Sequence, residues 1–162
     1  MTAFPTALPT QLAQQRAGHR GGLPVHIFAQ DEPRLGVQPI IRRRRTAWGV
    51  QPVATVWPRV DHVSLCGAVE PTTGDSCFLE LPLLNSAMLQ LWWDDFAQTF
   101  ATSFNIVVLD HGALHTAQTL RWPPHVAAVP LPPDSPDLTP IERLWRDLKD
   151  KLADTVAQRL DE

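Results

Sequence analysis

Three acidic residues in this chain lie where carboxylates could bind metal ions. Asp110 directly follows the apolar run 106–109, at the carboxyl end of a strand that the run predicts to be buried on both faces. Asp31 ends an alternating segment, and Glu142 lies in the first turn of a C-terminal helix. Hard cations such as Mg²⁺ prefer carboxylate oxygens, and two such ions can promote phosphodiester cleavage. Asp31, Asp110 and Glu142 could therefore together form a two-metal site.

Each carboxylate also has a purely structural interpretation. Thr139 and Glu142 fit a capping box, in which the glutamate bonds back to the threonine N–H. Asp110 can instead begin a turn, and Asp31 can be a solvated strand end. Residue types and spacing alone leave both interpretations open at all three positions.

A run of four arginines is the candidate for contact with a nucleic acid. The chain carries 14 basic and 17 acidic residues, a net charge of −3, whereas dedicated nucleic-acid-binding modules are usually basic. The distribution is more informative than the total, because guanidinium groups suit phosphate. The run predicts either a phosphate-contacting segment or a solvated face, and it consists of Arg42, Arg43, Arg44 and Arg45.

Histidine, cysteine and tryptophan side chains are interpreted mainly as structural. His111 and His115 are four residues apart, but Gly112 between them and the lack of further clustered ligands argue against a zinc site. Cys66 and Cys77 are too few for a disulfide framework and are predicted to be inert and buried. The tryptophans at helical spacing are predicted to lie in the core: Trp92, Trp93 and Trp145.

Hydrophobic periodicity predicts five strands and three helices. The predicted strands are 24–30, 61–69, 77–83, 106–109 and 125–131. The predicted helices are one that begins after Asn85 as its N-cap, a short one at 115–121, and one that begins at Thr139. The buried stripe expected of the last helix is Ile141, Leu144, Trp145, Leu148 and Leu152. This order predicts an α/β domain with a mixed five-stranded sheet flanked by helices.

Prolines mark two distinct segments of the 162-residue chain. Two of the 16 prolines lie in an N-terminal segment rich in glutamine, alanine and threonine. Residues 1–22 are therefore predicted to be a flexible arm or linker remnant. A second cluster at 123–140 predicts a rigid extended connection. No stretch approaches the apolar length of a membrane span, and a cytoplasmic setting is expected.

Two segments taken together resemble a known family. The first, NIVVLDHGALH, is an apolar strand that ends in Asp110, with His115 a few positions on; the second is LPPDSPDLTPIERLWRDLK. Both resemble the catalytic domain of the DDE-superfamily endonucleases, in particular bacterial insertion-sequence transposases related to the mariner elements. Asp31 followed by Glu32, and the arginine run followed by Trp-Gly, are similar to further family features. The matching residues of the second segment are Pro132, Pro133, Ser135, Pro136, Leu138, Pro140, Ile141, Glu142 and Trp145.

The resemblance covers roughly residues 24–153 and implies a ribonuclease H-like domain over 23–162. It implies Mg²⁺-dependent DNA strand cleavage and strand transfer, with Asp31, Asp110 and Glu142 holding two ions and Mn²⁺ as a substitute. Duplex DNA, both element ends and target, is the implied partner. The arginine run and His115 are the implied DNA contacts.

The sequence departs from the family pattern in two respects. His111 stands where the family usually has asparagine, and the arm of 22 residues is too short for a helix-turn-helix region. We therefore expect a separate helix-turn-helix partner or a missing N-terminal half, from a split reading frame or a truncated copy. A homodimer, no membrane contact and association with the nucleoid are expected. Two alternatives remain: an inactive or accessory fragment that binds without cutting, and a ribonuclease H-like nuclease acting on RNA–DNA hybrids.

Overall fold

A computed structural model describes residues 7–19, 21–36, 45–50, 62–110, 120–131 and 140–152. Its strands are β1 (Val25–Asp31), β2 (Arg34–Gly36), β3 (His62–Val69), β4 (Ser76–Leu81), β5 (Phe104–Leu109) and β6 (Val126–Pro130). Its helices are α1 (Ala7–Gly18), α2 (Ser86–Thr99) and α3 (Pro140–Leu152). The five predicted strands are all present, and the predicted α/β class with a mixed sheet is confirmed. None of the helices in these ranges is long and apolar enough to cross a membrane.

The sheet is mixed because its strands run in two directions. β1 pairs in parallel with β5, and β5 pairs in parallel with β6. β3 lies antiparallel to β1 on one side and to β4 on the other. The β3–β4 connection is a tight turn, in which Gly74 has a φ of +83° that favours glycine. The resulting order places β1 and β5 side by side in the middle of the sheet.

Within the described residues the sheet has six strands where the sequence predicts five, because the short strand β2 was not expected. β1 and β2 both pair with the same edge of β3, and they do so in a single register. Between them, the Pro33 carbonyl accepts a hydrogen bond of 3.0 Å from the Leu65 N–H. β2 is thus the continuation of β1 after a break at Glu32 and Pro33, where proline cannot donate to the ladder.

Helix α2 covers one face of the sheet with an aromatic core. Its N-cap is Asn85, as predicted, and the Asn85 side chain accepts a hydrogen bond of 2.9 Å from the Met88 N–H. The apolar stripe of the helix packs on Phe28 and on the matching face of β3, β4 and β5. The buried residues of α2 are Leu89, Trp92, Trp93 and Phe96. The predicted burial of Cys66 and Cys77 is confirmed in this core, and burial raises the pKa of the Cys77 thiol to about 12.

Helix α3 covers the opposite face through a smaller core. Ile141 and Trp145, one turn apart, pack with Ala29 of β1 and are almost completely buried. The predicted stripe is too wide, because Leu144 is 39% and Leu152 is 38% exposed. The helix packs mainly on β1 and β3, so only a narrow side of it is covered.

The N-terminal segment, which was predicted to be a flexible arm, contains a helix that the sequence did not indicate. Residues Ala7–Gly18 form α1, which contacts β6, and His19 stacks on Phe104 with ring centroids 4.2 Å apart. Glutamine and alanine are good helix formers, and Pro9 is tolerated because it lies in the first turn. This helix could not be predicted from hydrophobic periodicity because it has no apolar stripe. The domain boundary at residue 22 stays a prediction.

Some predictions concern residues outside the described ranges. They include the short helix at 115–121, apart from its last two positions, and most of the proline-rich connection. The individual residues concerned are Arg42, Arg43, Arg44, His111, His115 and the capping residue Thr139.

Candidate functional site

Asp31 and Asp110 end two neighbouring parallel strands. β1 and β5 pair from Val25–Phe104 to Ala29–Val108, and the same register continued by two residues sets Asp31 beside Asp110. Neighbouring strands lie about 4.8 Å apart. The side-chain alternation of the strands directs both carboxylates toward the face that α3 covers. The two aspartates therefore meet at the carboxyl edge of the sheet, where open α/β sheets bind ligands.

The electrostatics of Asp31 reflect this position. Burial raises the pKa of Asp31 above its ordinary value, and the negative charges of Glu32 and Asp110 raise it further. Two groups lower it: the Glu32 backbone N–H and the Trp145 indole N–H. Asp110, by contrast, is exposed. The pair thus combines a partly buried carboxylate with an exposed one.

A hydrogen-bonded chain behind Asp31 fixes its orientation. The Glu32 backbone N–H donates to Asp31 Oδ1 at 2.8 Å. The Glu32 side chain accepts a hydrogen bond of 2.6 Å from the Gln30 amide, which is 1% exposed and also lies 3.5 Å from Cys66 Sγ. Sequence alternation put Gln30 on the face opposite Asp31, but gave no sign that this polar side chain is buried. Gln30 and Glu32 together restrain the backbone that carries Asp31.

Glu142 approaches the same face from α3. Its neighbour Ile141 packs on Ala29, and Trp145, three residues on, packs beside Asp31. Positions three apart on a helix adjoin one another. Glu142 is partly buried in the first turn of α3. The fold therefore brings Asp31 and Asp110 together and carries Glu142 on the helix that packs on β1, the strand of Asp31.

The three carboxylates do not form a closed cluster. Among the residues that the structure describes, no group of three or more His, Cys, Asp or Glu side chains is gathered closely enough to hold a metal ion. The Asp31–Asp110 pair nonetheless fits a divalent cation, because two adjacent carboxylates offer oxygen ligands and their mutual repulsion favours a cation between them. The role of Glu142 as a ligand stays a prediction.

Neutralising Asp31 should stabilise the protein without metal. The folded pKa of Asp31 lies above 3.8, its ordinary value, so ionisation of this carboxylate disfavours the folded state. The destabilisation is absent at pH values below 3.8, grows as the pH rises through the folded pKa, and is complete above it. We expect Asp31→Asn to raise the melting temperature in chelator at pH 7, and the gain to vanish toward pH 3. Thermal melts across this pH range would measure it.

Asp147→Asn is the control, because it removes one negative charge from an exposed position of α3. A lower melting temperature for Asp31→Asn than for the parent at pH 7 would contradict the assignment of Asp31 as a desolvated carboxylate.

Arg45, the one described member of the arginine run, precedes an exposed turn. The Val50 N–H donates to the Ala47 carbonyl at 3.0 Å, and Gly49 has a φ of +82°, as a type II turn requires. Trp48 lies fully exposed in this turn, and Arg45 is exposed as well. Both side chains are therefore accessible to a large ligand.

The predicted burial of Trp145 is confirmed, but its position beside Asp31 was not predicted from the sequence. Its apolar spacing correctly indicated burial, and Trp145 is 5% exposed. Periodicity cannot reveal which group a buried indole N–H faces. The available signal was the position of Trp145 in the same motif as Glu142.

Comparison with solved structures identifies the fold. The chain is similar to the Mos1 strand transfer complex, with a TM-score of 0.64 and 19% identity over 93% of this chain and 48% of the Mos1 chain. The Mos1 mariner paired-end complex with Mn gives a TM-score of 0.64 and 18% identity over 94% of this chain and 49% of the Mos1 chain. A chain of a simian T-cell lymphotropic virus intasome gives a TM-score of 0.54 and 15% identity over 82% of this chain and 41% of the intasome chain. The ribonuclease H-like fold of transposase catalytic domains is thus confirmed, and the chain spans about half the length of the Mos1 chains.

Sequence comparison identifies the family. An uncharacterized protein of Sinorhizobium fredii, y4pE/y4sA, is 28% identical over 85 residues, which are 52% of this chain and 63% of that protein. The family model of the DDE superfamily endonucleases matches residues 26–162, a range that includes Asp31, Asp110 and Glu142. With a match over most of its length, this chain belongs to the DDE superfamily endonucleases.

Proposed function

We propose that the chain is the catalytic domain of a DNA transposase, which uses divalent cations to cleave DNA strands and transfer them to target DNA. The observation that carries the proposal is the pair of aspartates on adjacent parallel strand ends, Asp31 and Asp110. Membership of the endonuclease family and the fold shared with Mos1 support it.

The metal ligands in this proposal are Asp31, Asp110 and Glu142. These residues would hold two Mg²⁺ or Mn²⁺ ions, which would supply activation of the attacking oxygen and stabilisation of the departing one in phosphodiester chemistry. Structures of the Mos1 mariner paired-end complex with Mn and with Mg support this choice of metals. In this proposal Glu142, in the first turn of α3, is the third carboxylate ligand.

The chain's own residues prepare the site in three ways. The Glu32 N–H holds one oxygen of Asp31, so the carboxylate keeps a fixed orientation. Helix α3, through Trp145, covers Asp31 and excludes water from its inner side. Asp110 is exposed, so a phosphodiester can approach the pair from solvent. A rigid carboxylate beside an accessible one suits a reaction whose substrate is a large polymer.

The proposed partners are duplex DNA at the element ends and at the target, a second copy of the chain, and a helix-turn-helix module carried by another chain or another segment. Mos1 forms paired-end complexes with transposon ends, which supports the first two. Among this chain's residues, we assign phosphate contacts to His115 and to the run Arg42, Arg43, Arg44 and Arg45.

Removal of these arginines should weaken DNA binding and reduce its salt dependence. Each phosphate contact releases counterions, so each Arg→Ala change at 42–45 should flatten the slope of log affinity against log salt by about one unit. Fluorescence anisotropy with labelled duplexes at several salt concentrations would measure the slope. Arg121→Ala is the matched control, since Arg121 is an exposed arginine near α2. An unchanged slope after four substitutions would contradict the assignment.

The function is tested by strand cleavage. Supercoiled plasmid, linear duplex DNA and an RNA–DNA hybrid are incubated with the chain and Mg²⁺, Mn²⁺ or chelator. We expect nicking of DNA with either metal and none with chelator. Cleavage confined to the hybrid would indicate a ribonuclease H-like activity instead. Binding of DNA without cleavage under any metal condition would indicate an accessory fragment.

A further inference from the structure

Gly67 leaves room for an aromatic ring beside Asp31. In the β1–β3 ladder Gly67 is the direct partner of Asp31, and in the β3–β4 ladder it is the partner of Phe78. A Cβ atom on Gly67 would meet the Phe78 ring and would lie 3.0 Å from Cη2 of Trp145. The Trp145 indole therefore lies directly over the strand position next to Asp31.

The indole of Trp145 is fixed in this position. It packs with Ala29 and Ile141 in the core beneath α3, and the Phe78 ring meets it edge-on, with centroids 5.8 Å apart and planes at 71°. Only 5% of Trp145 is exposed. The ring has little freedom to rotate away from Asp31.

The indole N–H of Trp145 is buried and has no hydrogen-bond partner among the described residues. The indole lies over Gly67, the ladder partner of Asp31, so this carboxylate lies beside the ring. Asp31 Oδ1 already accepts from the Glu32 N–H. A buried N–H is costly to leave unpaired, and a carboxylate is the strongest acceptor available to it.

We propose that Trp145 is a positioning residue for Asp31, and that its indole N–H orients the carboxylate that binds the metal. This inference rests on the proposed function, in which Asp31 is a metal ligand. A donor behind a ligating carboxylate sets the direction of its free lone pairs, and the loss of such a donor typically costs 10–100-fold in metal affinity or activity. Gly67 supports the arrangement by leaving space for the ring.

The test replaces Trp145 by phenylalanine, which keeps an aromatic ring and removes the N–H. The Mg²⁺ concentration that gives half of the maximal thermal stabilisation is measured first, and that for half-maximal DNA nicking second. We expect Trp145→Phe to raise both midpoints by about tenfold. Excess Mg²⁺ should restore most of the nicking rate, because the ligand itself remains.

Two matched controls separate positioning from packing. Trp92 and Trp93 are also buried, and their indole N–H groups likewise lack a hydrogen-bond partner in the described structure, but they lie in the α2 core on the other side of the sheet. Trp92→Phe and Trp93→Phe should lower the melting temperature in chelator and leave both Mg²⁺ midpoints unchanged.

A second measurement on the parent chain covers the case in which Trp145→Phe does not fold. In a ¹H–¹⁵N spectrum, saturating Mg²⁺ should shift the assigned Trp145 indole resonance and leave those of Trp92 and Trp93 in place. If the parent responds to Mg²⁺ while Trp145→Phe keeps the parent midpoints, or the indole resonance does not move, the positioning role is refuted. If Mg²⁺ neither stabilises the parent nor supports nicking, the proposed function itself fails.

Discussion

Replacing any one of Asp31, Asp110 or Glu142 by its amide is expected to abolish metal-dependent DNA cleavage while the fold remains intact. Each change removes one negative charge and one ligand from a site that needs all three carboxylates to hold two ions. Loss of a group that orients a metal ligand typically lowers metal affinity or activity 10–100-fold. We therefore expect loss of a ligand itself to lower the nicking rate by more than about 100-fold. Nicking rates of the parent and the three variants, with far-ultraviolet circular dichroism as the check on folding, would measure the effect.

Glu142→Gln is the most discriminating of these variants. Glutamine also serves at the third position of a capping box, so a purely capping Glu142 would tolerate the change. A metal ligand would not, because the amide removes the charge that attracts the cation. Retention of the parent nicking rate by Glu142→Gln would show that the residue caps α3, and the three-carboxylate site would then be wrong.

Acidic residues elsewhere supply the controls. Asp147→Asn on α3 and Glu80→Gln on β4 remove the same charge from exposed positions. Both should keep the parent nicking rate and the parent response to Mg²⁺. A general electrostatic effect on DNA binding would instead change all of the acidic variants alike.

The strands and the cap of α2 could be predicted from the sequence because local patterns determine them. The apolar run 106–109 is typical of a strand that is buried on both faces, and β5 is such a strand. Asn85 has the side chain that a helix N-terminus needs. The alternation that ends in Asp31 also predicts which face of the sheet this carboxylate joins.

Features that depend on long-range packing could not be predicted. The partial exposure of Leu144 and Leu152 arises because the sheet covers only a narrow side of α3, which no periodicity reveals. β2 exists because the strand resumes its register on β3 after Pro33. The contact of Trp145 with Asp31 requires the space above Gly67, and that space appears only when β1, β3 and α3 assemble.

The largest loss of stability is expected from Phe96→Ala in the α2 core. Phe96 is fully buried, and its ring lies 5.0 Å from Phe28, 5.4 Å from Trp92 and 5.0 Å from Phe100, measured between centroids. Removing a buried phenylalanine costs about 3–5 kcal/mol of unfolding free energy. In a domain of this size that corresponds to a fall in melting temperature of roughly 6–20 °C. Thermal and urea unfolding of the parent and the variant would measure both quantities.

The aromatic core on one side of the sheet also supports the strand that carries Asp31 on the other side. Phe28 stands on β1 three residues before Asp31, and Phe96 is the ring that meets it edge-on from α2. A cavity at Phe96 therefore loosens the strand that sets Asp31 beside Asp110. Leu91→Ala is the control, because Leu91 lies on the same helix but is 53% exposed, and it should change stability by at most about 0.5 kcal/mol. Equal losses for Phe96→Ala and Leu91→Ala would mean that the aromatic core does not support β1.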